Sequence, residues 1–122
     1  MKKFLIVVFI TLCFSLSKGF SQDNRLVYVG SNDLSDFYYD SYTITHNGNI
    51  GDVWIKFVYI NEPEWDCCLA KYRISCDDMK IMIITSTYYK KNGKAISELP
   101  NDRMEPIVPE SQSELFYRVV CK

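Results

Sequence analysis

The sequence has little of what catalytic and cofactor-binding proteins usually carry. Its 122 residues include a single histidine, and neither a G-x-G-x-x-G nor a Walker-type phosphate-binding motif is present. The five cysteines contain no C-x-x-C pair, so the usual ligand spacing of a zinc site is missing. A chain of this length predicts one domain rather than a catalytic domain with an accessory one. We therefore expect neither a cofactor nor a metal ion.

The residues that remain available for chemistry have simpler interpretations. His46 lies beside an Asn-Gly turn, where a solvated side chain is expected rather than a general base. Residues 62–68 combine three carboxylates with the adjacent Cys67 and Cys68, and we interpret them as an exposed acidic loop that leads into a strand. The adjacent cysteines are consistent with two thiols, with a bond to each other or with an intermolecular link. We predict a protein that is not an enzyme.

The N-terminus has the pattern of a secretory signal peptide. Two lysines precede an apolar run over residues 4–16, and the small residues Gly19 and Ser21 follow near the predicted cleavage site. The run is shorter than the roughly 20 residues that a membrane-spanning helix needs. We predict a signal peptide over residues 1–21 and a mature domain over residues 22–122. The protein is then exported to the periplasm, the cell surface or the extracellular space, with no integral membrane segment after cleavage.

The charge of the predicted mature domain limits its partners. Removal of three lysines with the signal peptide changes the formal net charge from −1 to −4. The mature domain lacks the basic stripe that a phosphate-binding surface needs, so we expect no nucleic acid partner.

Four cysteines remain after cleavage, in a compartment where thiols pair. They are Cys67, Cys68, Cys76 and Cys121. Four cysteines allow three connectivities, and a bond between the neighbours Cys67 and Cys68 requires a strained ring. The long-range candidate therefore joins Cys121 to one of the three upstream cysteines.

Strand signals dominate the mature chain. Residues 25–30 and 36–40 predict a first hairpin, and residues 44–46 and 53–60 predict a second one across an Asn-Gly turn. Residues 68–76 alternate apolar and charged side chains, which predicts a strand with a cationic outer side. Residues 80–89 predict a long central strand, and residues 95–99 predict a short edge strand.

The C-terminus changes to a helical period. Ser111 and Glu114 fit the S-x-x-E capping box, in which each side chain binds a backbone N–H of the other residue. Apolar residues then follow with the spacing of one helical stripe and end before Cys121. A helix this short is marginal in water, so it must dock on the sheet. The sequence thus predicts an α+β fold.

Taken in order, several motifs resemble the bacterial surface-adhesin protein E family over residues 25–121. They are Tyr38-Tyr39, Asp40, Ile44, Asn47-Gly48, Trp54, Cys76, residues 86–89, residues 106–111 and Val120-Cys121. The resemblance implies a single antiparallel sheet of about six strands, with one C-terminal helix on its concave side. It also implies a disulfide between a strand cysteine and the last cysteine, which correspond here to Cys76 and Cys121.

The aromatic residues of the strands are the candidate binding residues. A single short helix cannot cover both faces of the predicted sheet, and tyrosine and tryptophan suit a protein contact. We therefore expect the uncovered face to bind a host or envelope macromolecule, or a second copy of the chain. The alternative is an envelope-associated structural protein that self-associates and has no other ligand. The candidate residues are Tyr38, Tyr39, Trp54, Tyr59, Tyr88 and Tyr89.

Overall fold

Strands make up most of the chain that the structure describes. The computed structural model describes residues 25–98 and 103–121, and the predicted signal peptide over residues 1–21 lies outside them. The described elements are β1 (Leu26–Ser31), β2 (Ser35–Asp40), β3 (Thr45–Asn47), β4 (Ile50–Tyr59), β5 (Trp65–Ser75), β6 (Lys80–Lys90), β7 (Ala95–Glu98), β8 (Glu105–Pro106) and α1 (Gln112–Cys121).

One antiparallel sheet contains all eight of these strands. Its main path runs β1-β2-β4-β5-β6-β7, while β3 pairs with β4 and β8 pairs with β6. The six-stranded path confirms the expected sheet, and the two short strands extend it. The strand predicted to be central, β6, lies next to the edge instead, because β7 and β8 both pair with its outer side. The middle of the sheet is formed by β4 and β5.

The sequence alternation of β4 and β5 separates the two faces of the sheet. Val53 and Ile55 on β4, and Ala70 and Ile74 on β5, are buried on the face that carries the helix, which we call the helix face. Lys71 and Arg73 of β5 point to the opposite face, as the sequence predicts.

The helix buries the apolar stripe that its sequence predicts. Phe116 is fully buried, and its ring lies 5.1 to 6.0 Å from the ring centroids of Phe37, Phe57 and Tyr72. Val120 is buried one turn later. These contacts stabilise a helix that would be marginal alone, because they remove its apolar stripe from water.

The helix start differs from the predicted capping box. Ser111 Oγ donates to the carbonyl of Val108 at 2.6 Å, and Glu114 Oε1 accepts from the backbone N–H of Glu110 at 3.4 Å and from Arg118 at 3.1 Å. The serine thus closes the turn before the helix, and the glutamate binds one residue further back than predicted. Both side chains form hydrogen bonds near the start of the helix, but neither binds the backbone N–H of the other residue.

A disulfide fastens the end of the helix to the sheet. Cys76, which directly follows β5, is bonded to Cys121, and their Cα atoms lie 5.6 Å apart. This confirms the pairing that the family resemblance implies. The Tyr117 hydroxyl also donates to the carbonyl of Cys76 at 3.5 Å, so the last two turns of α1 are held at one point of the sheet.

Candidate binding groove

A groove on the helix face is the candidate functional site. The helix packs mainly on β1 and β4, which leaves part of β5 and β6 uncovered on the same face. The space beside the helix has a volume of about 220 Å³. We call it the tyrosine groove, defined by Phe57, Tyr59, Cys68, Tyr72, Ser86 and Tyr88, which all line it.

Two strands supply the floor of the groove by different means. On β5 the alternation alone places Cys68, Ala70 and Tyr72 on the helix face. On β6 a bulge lies opposite the step from Lys71 to Tyr72, where Ile84 has no partner in the register. The extra residue reverses the alternation, so that the later part of β6 also presents side chains to the groove.

The bulge places Ser86 and Tyr88 in the groove. Ser86 pairs with Ala70 and Tyr88 pairs with Cys68, and the Tyr88 side chain is close enough to affect the pKa of the Cys68 thiol. Without the bulge, Tyr89 would lie on the helix face and Tyr88 on the opposite one.

Burial keeps the groove side chains in their neutral forms. It raises the pKa of Tyr59 and of Tyr72 well above the ordinary tyrosine value. It also raises the pKa of the Cys68 thiol to about 12, with a smaller contribution from the nearby negative charge of Glu98. A thiol with this pKa is protonated at neutral pH and is a poor nucleophile.

Glu98 supplies the charge at the rim of the groove. It is exposed on the edge strand β7 and pairs with Ser86, which places both residues on the same face of the sheet. Its carboxylate acts on the pKa of Cys68, Tyr59 and Tyr88, and in each case raises it. The carboxylate therefore lies close enough to affect the pKa values of side chains across the groove.

Exposed apolar side chains extend the rim. Leu34 lines the groove and is 64% exposed, and Ile96, which pairs with Tyr88, is 43% exposed. At one end, Trp65 packs edge to face on Tyr88 with ring centroids 5.8 Å apart. The groove thus joins aromatic rings, accessible aliphatic groups and the carboxylate of Glu98, and Glu62 also raises the pKa of Tyr59.

The structure divides the six predicted binding residues between the two faces. Tyr59 and Tyr88 line the groove, and Tyr39 lies on the same face but packs against the core. The registers with Lys56, Lys71 and Cys67 place the other three on the opposite face. These three are Tyr38, Trp54 and Tyr89.

The opposite face carries paired charges and buried polar side chains. Arg73 makes two hydrogen bonds of 2.9 Å to the carboxylate of Asp52, and Lys71 lies 3.9 Å from it. Lys56 and Cys67 are almost fully buried on that face. Burial lowers the pKa of Lys56 to about 8, against an opposing effect of Asp66. Tyr28 is exposed on the same face, so aromatic side chains are present on both faces, and the tyrosine groove is the set of rings that lies beside the helix.

Several groove residues are missing from the predicted set. Trp65 falls in a segment that the sequence suggests is a loop, whereas β5 begins there. Glu98 and Ser86 carry no motif of their own. They could have been found only from the pairing of β7 with β6. That pairing depends on the bulge, and the sequence of neither strand alone predicts it.

The candidate reactive residues take structural positions. His46 Nε2 lies 2.8 Å from the carbonyl oxygen of Val120, so the side chain caps the end of α1. The neighbours Cys67 and Cys68 point to opposite faces, and Cys68 is a buried free thiol, which excludes a bond between the two. Glu64 forms a 2.8 Å ion pair with Lys90. Within the described part of the chain, no three His, Cys, Asp or Glu side chains are grouped so that they could hold a metal ion.

Comparison with known proteins assigns the family. The family model of surface-adhesin protein E matches residues 26–122, which include all the described strands and α1. The chain belongs to the surface-adhesin protein E family. No curated protein and no solved structure matches the chain.

Membership in the surface-adhesin protein E family supports a general role as a surface adhesin. It also suggests an exported or cell-surface location and contact with host or surface macromolecules. Among residues 25–98 and 103–121, no helix has the length and apolar character that crossing a membrane requires. The sheet, the terminal helix and the Cys76–Cys121 bond are the features of this surface-adhesin protein E domain that position the groove.

Proposed function

We propose that this protein is an exported, non-enzymatic binding module that recognises a protein or another macromolecule through the tyrosine groove. The observation that carries the proposal is the groove itself, in which three tyrosines surround an opening beside the helix. Tyrosine combines a large apolar contact area with a polar tip and loses little conformational entropy on binding. Family membership supports the adhesin role.

The groove chemistry favours binding over catalysis. The tyrosines and the cysteine are held neutral, and the one histidine caps the helix instead of facing the groove. The rim residues Leu34 and Ile96 offer apolar surface that a partner would bury. An apolar rim around a central tyrosine suits a contact surface, because the rim excludes water from the tyrosine when a partner binds.

Binding to an immobilised extracellular-matrix extract tests the proposal. Tyr88→Ala removes a groove ring, and we expect it to weaken binding about tenfold or more, as truncation of a central interface tyrosine does. Tyr28→Ala is the matched control, because Tyr28 is an exposed strand tyrosine whose pairing with Tyr38 places it on the opposite face. Circular dichroism verifies that both variants fold. Equal binding by wild type and a folded Tyr88→Ala variant would contradict the proposal.

Export and self-association are separate predictions with their own measurements. N-terminal sequencing of the secreted protein should give Gln22 as the first residue if residues 1–21 are a signal peptide. Sedimentation with and without reductant tests the predicted homodimer. A dimer that persists in Tyr88→Ala, together with no binding to the matrix extract, would favour the alternative of a self-associating envelope protein.

A further inference from the structure

The charge of the groove indicates what kind of group it receives. None of its lining residues is a lysine or an arginine, and Glu98 has no ion-pair partner among the described residues. On the opposite face, by contrast, Asp52 is neutralised by Arg73 and Lys71. The groove therefore combines aromatic rings with a carboxylate that the described chain does not neutralise.

The protein already combines a cation, an aromatic ring and a carboxylate at the end of the groove. The ammonium group of Lys90 lies 5.1 Å from the ring centroid of Trp65 and 2.8 Å from a carboxylate oxygen of Glu64. A cation is attracted by the negative face of an aromatic ring, and a carboxylate adds a charge-assisted hydrogen bond. Tyr88 packs on Trp65 and lies near Glu98. No described lysine occupies the space between Tyr88 and Glu98 in the way that Lys90 lies between Trp65 and Glu64.

We propose that the tyrosine groove receives the basic side chain of a lysine or arginine from a partner polypeptide, with its charged group directed to Glu98. This inference rests on the proposed function, because it names the chemistry of the partner at the same site. The apolar stem would lie against the tyrosine rings, as long basic side chains do on apolar surfaces.

Size and overall charge agree with this occupant. Sites for drug-sized ligands enclose roughly 300 to 1,000 Å³, whereas the groove encloses about 220 Å³, which suits a single side chain. The formal charge of −4 on residues 22–122 attracts a basic segment at longer range. The tyrosines and Cys68 are neutral, so the charge of the groove comes from its rim, where Glu98 and Glu62 both act on Tyr59.

Titration with short peptides, followed by NMR of the labelled, oxidised protein, tests the inference. The probes are acetyl-Gly-Gly-X-Gly-Gly-amide with X as lysine, arginine, glutamine or glutamate. We expect the lysine and arginine peptides to shift the backbone amide signals of Cys68, Ser86 and Tyr88. Their affinity should exceed that of the glutamine peptide about fivefold or more, and it should fall as salt is added.

Two carboxamide variants separate the role of Glu98 from a general effect of charge. Glu98→Gln should weaken binding of the lysine peptide about fivefold and leave the glutamine peptide unchanged. Glu105→Gln removes the same charge from β8, on the part of β6 away from Tyr88, and should change neither affinity. Both replaced side chains are exposed, so both variants are expected to fold.

The possible outcomes distinguish this inference from the proposed function. Equal affinities for the lysine and glutamine peptides, no shift at the groove with any peptide, or lysine binding unaffected by Glu98→Gln would overturn the inference. If Tyr88→Ala still abolishes binding to the matrix extract in that case, the groove remains the binding surface and only the chemistry of its occupant is wrong. If Tyr88→Ala has no effect either, the proposed function fails as well.

Discussion

Gly51 on β4 lies directly beneath Val120 of the helix, so closely that a methyl group on Gly51 would overlap Cγ1 of Val120. The same methyl group would stand 3.2 Å from Cδ2 of His46. The glycine is therefore required by the close approach of the helix end to the strand. The contact lies near the disulfide, so the position of the helix is set by packing and by a covalent bond together.

We expect Gly51→Ala to destabilise the protein by about 1 to 3 kcal/mol, because the helix end must move away or the strand must bend. Urea unfolding followed by circular dichroism measures the change. The double variant Gly51→Ala with Val120→Ala removes the overlap, so the cost of the alanine at position 51 should be smaller in that background. Equal costs in the two backgrounds would show that Val120 is not the constraint.

His46 connects β3 to the last turn of the helix. Helix-terminal carbonyls have no partner within the helix, and the ring of His46 binds the carbonyl of Val120. We expect His46→Ala to destabilise the protein by about 1 kcal/mol, the net value of one hydrogen bond, and to increase amide hydrogen exchange in the last turn of α1. His46→Gln, which keeps a donor group, is the control. Exchange that is unchanged in both variants would mean that the ring does not hold the helix end.

The sequence predicts the sheet well because its alternation is strong where the strands are long. In β4 and β5 the side chains that face the helix are apolar at every second position, so the two faces can be assigned without coordinates. The helix is predicted equally well, because Phe116 and Val120 of its apolar stripe are the residues that it buries.

The groove is less predictable because it depends on a change of register. The residues of β6 alternate normally up to Ile83, and the bulge at Ile84 then moves Ser86 and Tyr88 to the helix face. A bulge arises from how two strands pair, and neither strand alone indicates it. Alternation alone puts the neighbours Tyr88 and Tyr89 on opposite faces, so they do not share one surface as expected, and the bulge decides that Tyr88 is the one in the groove.

The Cys76–Cys121 bond should contribute a large share of the stability of the domain. The two residues are separated by 45 positions, and a loop of this length is worth about 4 kcal/mol in the chain-entropy model. We expect the double variant Cys76→Ser with Cys121→Ser to unfold at a much lower urea concentration and to lose helical circular dichroism at 222 nm first. Cys68→Ala, which removes a cysteine outside this bond, is the matched control. A double variant as stable as wild type would contradict the proposed role of the bond.

The thiol of Cys68 predicts how stability responds to alkaline pH. Burial raises its pKa from 9.0 to about 12 in the folded protein. Between these two values the unfolded chain has lost the proton while the folded protein keeps it, so stability falls as the pH rises. Below about pH 9 both states are protonated and the thiol has no effect on the pH dependence.

Comparison of wild type with Cys68→Ala isolates this contribution. Between pH 9 and pH 11 we expect the wild type to lose about 2 kcal/mol more unfolding free energy than the variant. The raised pKa values of Tyr59 and Tyr72, to which Cys68 itself contributes, act in the same direction, so their coupling to Cys68 is part of the measured difference. The lowered pKa of Lys56 acts in the opposite direction in both proteins. Urea unfolding of the oxidised proteins at pH 8, 9, 10 and 11 provides the measurement. Parallel pH profiles would mean that the Cys68 thiol is accessible to hydroxide in the folded protein, and that the floor of the groove is open to water.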